Sequence, residues 1–338
     1  MKVANQTKPF WKRRIHPALA LWLIAPIIGE LFSGSSPLNE YLSPITILTL
    51  GMLYGSGAIL VRELIILWRK GWLSLLLLGM AYGIYEEGLV VRSFFDPNWM
   101  DLGKLGVYGR AVGVNWVWVE HLTIFHTLLS IAASIILVEV LFPERRSESW
   151  IGTRGLVWNI IAFTAMLPLG GLLNTYDAPD VWLGICWLAI TLLTLAVWRM
   201  PATMKLGSSA NVPRPRWFFW TGFIASFIHH FIIYFTAEKN SPHFLISMFL
   251  VAVFDLFILW LILRWNSQGK RWDDRHRLAL FYGPICFFLI IGPLTTNGQY
   301  PIMYYSNPVF LILLWWIYRK INQRVNREIE MSPKTTSV

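Results

Sequence analysis

Ten stretches of this chain are apolar for long enough to cross a bilayer, and that limits the fold more than any motif does. They cover residues 15–32, 45–68, 72–91, 116–142, 155–173, 181–198, 217–236, 243–263, 278–296 and 302–318. At about 1.5 Å of rise per residue, roughly 20 apolar residues span a hydrocarbon core of about 30 Å. Lipid offers no partners for backbone N–H and C=O groups, so such runs fold as helices. The expected fold is an all-α polytopic transmembrane helical bundle of about ten spans over residues 15–318. A short segment 1–14 precedes it, and the tail 319–338 is read as a solvated extension. Composition agrees: 55% of the residues are hydrophobic and only 14% charged, against about 25% charged in soluble domains.

Basic residues set the expected orientation. Five Lys or Arg lie in 1–14, two at 69–70, three in 143–154, four in 199–216, five in 264–277 and five in 319–338. The alternate loops hold only Arg92, Lys104, Arg110 and Lys239, and Arg62 falls inside a span. By the positive-inside rule both termini are cytoplasmic and the protein is a multi-pass protein of the cell membrane. The net charge of +10 is thereby explained by topology and attraction to the lipid bilayer, and nothing further points to nucleic acid. Trp residues at the run ends, among them Trp68, Trp72, Trp116, Trp182, Trp198, Trp217 and Trp265, form an aromatic belt. Lys12-Arg13-Arg14 before the first run, with Ser33 to Ser36 after it, is the outline of a signal peptide. The run is long for that role and contains Glu30, so it is read as an uncleaved first span. Cys186 and Cys286 fall inside apolar runs, where no structural disulfide is expected. The loop 93–115 is too aromatic and Gly-rich for a plain linker, and is either an ordinary structured loop or a re-entrant or interfacial segment.

Within this frame the polar residues stand out. Glu86 and Glu87 are adjacent on the third span, where charge is costly and tends to mark function, and Glu30 and Arg92 are expected to support them. Gly79 and Gly83 precede them at helical spacing, so the acids share the face a neighbouring helix approaches closest. Helical rise places Glu87 about 8 Å beneath the outer face, with Glu30, His121, His126, His229 and His230 at comparable levels. Thr123, His126, Thr127, Ser130 and Ser134 form a polar stripe on the fourth span. His121 and His126 are five residues apart, about 140° around a helix, so at most one of them is expected to point centrally. A second set, Arg62, Glu63, Glu139 and, somewhat deeper, Asp255, lies towards the inner face, where Arg62 and Glu139 are expected to form a structural ion pair.

Two carboxylates in low dielectric cannot both ionise without cost, so one is expected to hold its proton. Such a carboxylate can act as base and then acid on a water, with histidines sharing the water and stabilising an oxyanion. That is enough to hydrolyse an amide of a peptide or lipidated substrate in a membrane cavity. No HExxH spacing occurs, so metal and cofactor are left open. The Glu pair followed by Arg92 on one span, with histidines on later spans, resembles the CAAX prenyl protease and bacteriocin-immunity family of intramembrane glutamate proteases. The resemblance implies that Glu86 or Glu87 and a fourth-span histidine activate water, with His229 or His230 lining the oxyanion hole. The spacing from Glu86 to Arg92 is one residue longer than that family's EExxxR, Val117 and Leu122 replace the Phe of FxxxH, and Ile233 and Tyr234 stand where Asn or Asp follows the histidine. Two other functions suit the same residues: an ion- or proton-coupled transporter, for which the Gly and Pro breaks at 168–171, 283–284 and 292–293 offer broken helices, and a non-enzymatic accessory or immunity protein in which they only tie helices together.

Overall fold

The computed structural model describes residues 15–174, 176–202, 212–265, 272–295 and 301–331. The expected segment 1–14 and residues 332–338 of the tail lie outside the described residues. Within them the chain is built from helices α1 (Pro17–Leu31), α2 (Pro44–Leu67), α3 (Trp72–Val90), α4 (Trp116–Leu141), α5 (Thr153–Leu173), α6 (Asp180–Arg199), α7 (Pro215–Lys239), α8 (Phe244–Trp265), α9 (Asp274–Leu294) and α10 (Met303–Met331). Eight of them, α2 to α9, are long and apolar enough to cross a membrane, and α1 is a shorter apolar helix. Pro17, Pro44 and Pro215 open their helices, where a missing N–H is no loss. The tail departs from expectation: α10 does not end at 318 but runs on to Met331, with Ile321 and Val325 buried. Its Arg324 ties this extension to the bundle through Val140 O at 2.7 Å and Asp274 Oδ2 at 2.6 Å.

Burial divides the helices into a core and a periphery. In their most apolar stretches α3 and α4 are 72% buried, whereas α5, α6 and α8 are 6–11% buried. The peripheral helices therefore turn apolar side chains outward, as lipid-facing helices do. The core pair meets through small residues. A methyl group at Gly79 would lie 3.0 Å from Thr127 Cα, and one at Gly83 would lie 3.2 Å from both Thr123 Cα and His126 Cβ. This close approach sets the acids of α3 beside α4.

Loop 93–115 is folded onto the bundle. Phe94, Phe95, Leu102, Leu105 and Tyr108 are buried. Strands β1 (Arg110–Ala111) and β2 (Val114–Asn115) form a hairpin that pairs Ala111 with Val114. Its two turn residues, Val112 and Gly113, both have positive φ, the backbone that a two-residue hairpin turn requires. Asn115 then caps α4, its Oδ1 accepting from Trp118 N at 3.0 Å, while its own N–H donates to Phe94 O at 2.9 Å.

Candidate functional site

Four core helices each contain one wide, π-helical turn: Ile27–Leu31 in α1, Gly51–Gly55 in α2, Tyr85–Val90 in α3 and His126–Ala133 in α4. Among the described residues these are all the π turns there are. They carry Glu30, Tyr54, Glu86 with Glu87, and His126 with Ser130. A π turn inserts one extra residue and is often found at functional sites. Consecutive residues of a regular helix point about 100° apart, yet Glu86 and Glu87 are only 2% and 7% exposed.

His126 is the hub. Its Nε2 lies 2.8 Å from Glu87 Oε1 and its Nδ1 lies 3.0 Å from Ser130 Oγ. Glu87 is pinned from behind, because Ser93 Oγ donates to its other oxygen and in turn accepts from Trp118 Nε1 at 3.1 Å. With a carboxylate on Nε2, that nitrogen carries the ring proton and Nδ1 accepts from the Ser130 hydroxyl. Glu86 Oε2 is 3.1 Å from Nδ1 but makes no hydrogen bond. Nearby, Glu30 accepts from Tyr54 OH and, at 2.8 Å, from Ser36 Oγ. Tyr82 packs its ring 6.1 Å from both Tyr54 and His126. Its buried hydroxyl interacts with Glu86 without closing a well-formed hydrogen bond. Glu86, Glu87 and His126 each present a ligand atom within 4.8 Å of the other two, which makes them, among the described residues, the group suited to a metal ion.

The other histidines form a second cluster. His229 Nε2 meets His121 Nδ1 at 3.0 Å, and its Nδ1 meets Asp255 Oδ2 at 2.9 Å. His230 donates to Ser226 O at 2.7 Å and packs on Phe287 and Phe288. Phe288 also packs on Phe125, which packs on His126, and Trp118 stands between His121 and Ser93. Among the described residues no hydrogen bond or ion pair joins His121, His229 or His230 to the glutamates. The expected shared pocket is thus two neighbouring clusters separated by aromatic rings.

Three further expectations are corrected. His121 and His126 both point inward, because they serve different partners. Asp255 does not belong with the inner set; α8 turns it to His229. Arg92 turns away from the acids, since its positive φ sends the guanidinium to Tyr176 O at 3.1 Å and Asp177 at 4.0 Å. At the opposite end of the bundle Arg62 lies 3.8 Å from Glu139 without a hydrogen bond at Nε. Its main partner is Glu63 at 2.9 Å, and it stacks 3.7 Å over Trp150.

Sequence reasoning passed over Tyr54, Tyr82, Ser93 and Trp118. Tyrosines and tryptophans are common in and around spans, so only their placement distinguishes these four. The arrangement offers an oriented imidazole, a carboxylate oxygen without a hydrogen bond and a phenol beside that carboxylate, the parts needed for proton transfer or for binding a cation.

No curated protein and no solved structure matches the chain. A family model does match, over residues 19–291. The chain thus belongs to the family described as an uncharacterized membrane protein family, and it is a multi-pass membrane protein.

Proposed function

We propose that the Glu86–Glu87–His126 cluster is the catalytic centre of a membrane-embedded hydrolase that cleaves an amide in a peptide or lipidated substrate. One observation carries this reading: Glu86 keeps an unpartnered oxygen 3.1 Å from an imidazole whose far nitrogen Glu87 holds in place. Glu86 is the base that takes a proton from water, and His126 shares that water through Nδ1. Glu87 acts on His126 as an orienting carboxylate. Tyr82 OH, which interacts with Glu86, is the donor assigned to a developing oxyanion, since the hydrogen bonds of His229 and His230 go to His121, Asp255 and Ser226 instead. The resemblance to the CAAX prenyl protease and bacteriocin-immunity family then rests on Glu86, Glu87 and His126. On this reading both termini are cytoplasmic and the cluster lies nearer the outer leaflet, with the count of basic residues per loop in support.

The test is cleavage of prenylated and unmodified peptide libraries by the full chain in detergent and in liposomes, followed by mass spectrometry. Wild-type cleavage that is lost in Glu86→Gln, with unchanged elution as a folded monodisperse protein, supports the reading. Cleavage that persists in Glu86→Gln, or its absence in the wild type across both libraries, overturns it.

A second reading, proton-coupled transport, is favoured by one feature, the chain Asp255–His229–His121 reaching from a partly exposed carboxylate into the core. Proton uptake by proteoliposomes that Asp255→Asn abolishes would support transport instead.

A further inference from the structure

We infer that Glu86 and His126, the imidazole oriented by Glu87 on its other nitrogen, bind a divalent first-row transition-metal ion of the zinc or iron class. The inference rests on the site assigned above and adds a metal to it. Three observations lead there. First, the three side chains present ligand atoms within 4.8 Å of one another, and all are buried. Second, the side-by-side placement of Glu86 Oε2 and His126 Nδ1 is that of two ligands rather than of a donor and an acceptor. With the ring proton on Nε2 towards Glu87, both atoms bring lone pairs to a gap of 3.1 Å. Two ligands held about 2.0–2.2 Å from one ion, at angles between tetrahedral and octahedral, lie about 3.0–3.5 Å apart. Third, Tyr82 OH, on a side chain 3% exposed, interacts with Glu86 without a well-formed hydrogen bond, which leaves it able to meet a ligand at that carboxylate.

Charge points the same way. Glu30, Glu86 and Glu87 surround a single imidazole, and Glu30 stands close enough to interact with both His126 and Glu87. Three carboxylates buried beside one histidine cannot all ionise without cost unless a cation offsets them, and a bound dication does so. The imidazole selects against calcium and magnesium, which take oxygen ligands, and for zinc, iron, copper or nickel. Glu86 and His126 leave coordination positions for water, and Glu87 on the far ring nitrogen is the carboxylate that fixes a ligating imidazole. Ser130, whose hydroxyl now meets Nδ1, must turn aside or join the ion.

The experiment uses the full chain purified in detergent without chelator. Metal content is measured by elemental analysis. After stripping with a chelator, the protein is titrated with Co²⁺ while the visible ligand-field absorption is followed, and with Zn²⁺ while thermal unfolding is followed. One ion per chain is expected. Glu86→Gln and His126→Ala should weaken Co²⁺ binding at least about 100-fold and abolish the Zn²⁺-dependent rise in Tm. Glu86→Asp should retain binding with an altered spectrum, and His243→Asn should bind as wild type does. Wild-type protein that takes up no Co²⁺ or Zn²⁺, or binds them equally well in Glu86→Gln, overturns the inference, because a proton then fills the gap. The two readings separate cleanly. Cleavage by fully stripped protein leaves the hydrolase and removes the metal, whereas tight binding without cleavage does the reverse.

Discussion

His126 Nε2 lies 2.8 Å from Glu87 Oε1, and this contact couples the π turn of α3 to that of α4. It depends on the glycine-lined approach of the two helices, on the Ser93 hydroxyl behind Glu87 and on Trp118 behind Ser93. Sequence-distant residues thus hold one imidazole in a fixed pose. Glu86, one residue earlier on the same turn, is left with an oxygen that nothing satisfies.

The two adjacent glutamates should therefore respond differently to the same substitution. Glu87→Gln removes the charged partner of a buried histidine and disturbs the bond to Ser93. Breaking such a buried pair costs about 3–5 kcal/mol, so its Tm in detergent should fall clearly. Glu86→Gln breaks no hydrogen bond at Oε2 and should leave Tm nearly unchanged while removing activity. Thermal unfolding of the two variants side by side checks this; equal losses of stability would contradict the division of roles.

Tyr82→Phe deletes a hydroxyl that closes no well-formed hydrogen bond, so stability should stay the same or rise slightly, since a buried unsatisfied polar group is costly. If the phenol donates to an oxyanion, kcat should drop about 10²-fold with KM little changed. Tyr54→Phe removes a donor to Glu30 and should instead lower Tm. Steady-state kinetics and unfolding curves for both variants give the answer, and an unchanged kcat in Tyr82→Phe would remove it from the site.

Much of this was legible before the structure. Apolar runs located α1 to α9 because lipid admits few alternatives to helix. Glu86 and Glu87 stood out because charge is rare at that depth, and Gly79 with Gly83 indicated which face would pack closely. What the residues could not convey was rotation. Whether His121 or His229 turns towards the acids depends on helix phase, and a π turn resets phase without a recognisable sequence signal. Asp255 was displaced for the same reason: depth along a span says nothing about which neighbour it faces. Arg92 was misplaced because a single positive φ beyond the helix end reverses its direction. The extension of α10 past 318 escaped notice because its polar face looks like a solvated tail, whereas Ile321 and Val325 pack inward.

The glycine contact between α3 and α4 can be tested independently of chemistry. A methyl at Gly79 would meet Thr127 Cα at 3.0 Å, a backbone atom that cannot move without shifting α4. Overpacking of this kind costs about 1–3 kcal/mol. Gly79→Ala should lower Tm and, by pushing α4 away from α3, lengthen the Glu87–His126 contact and reduce activity or metal binding together with stability. Gly71→Ala, with open space around its site, is the control and should change neither. Activity that survives a large fall in Tm in Gly79→Ala would show that the site does not depend on this approach.

At the far end of the bundle, the partners of Arg62 make a prediction that separates proximity from interaction. Glu139 lies 3.8 Å away and Arg62 Nε has no hydrogen bond. Glu63, 1% exposed, accepts from Arg62 Nη1 and Trp150 N, both at 2.9 Å, and from Ser149 Oγ at 2.5 Å. Arg62 also reaches Arg146 O at 2.9 Å and lies flat over Trp150, so its planar guanidinium does work that an ammonium cannot. Glu63→Gln leaves a buried cation without its hydrogen-bonded counter-charge, and the expected loss is about 3–5 kcal/mol. Glu139→Gln removes a weaker, partly exposed neighbour and should cost about 1 kcal/mol or less. Arg62→Lys should resemble Glu63→Gln more than wild type, because the fork to Glu63 and Arg146 and the stacking on Trp150 are lost together. Unfolding midpoints of the three variants decide the matter: a Glu139→Gln loss as large as that of Glu63→Gln would make the more distant acid the true partner.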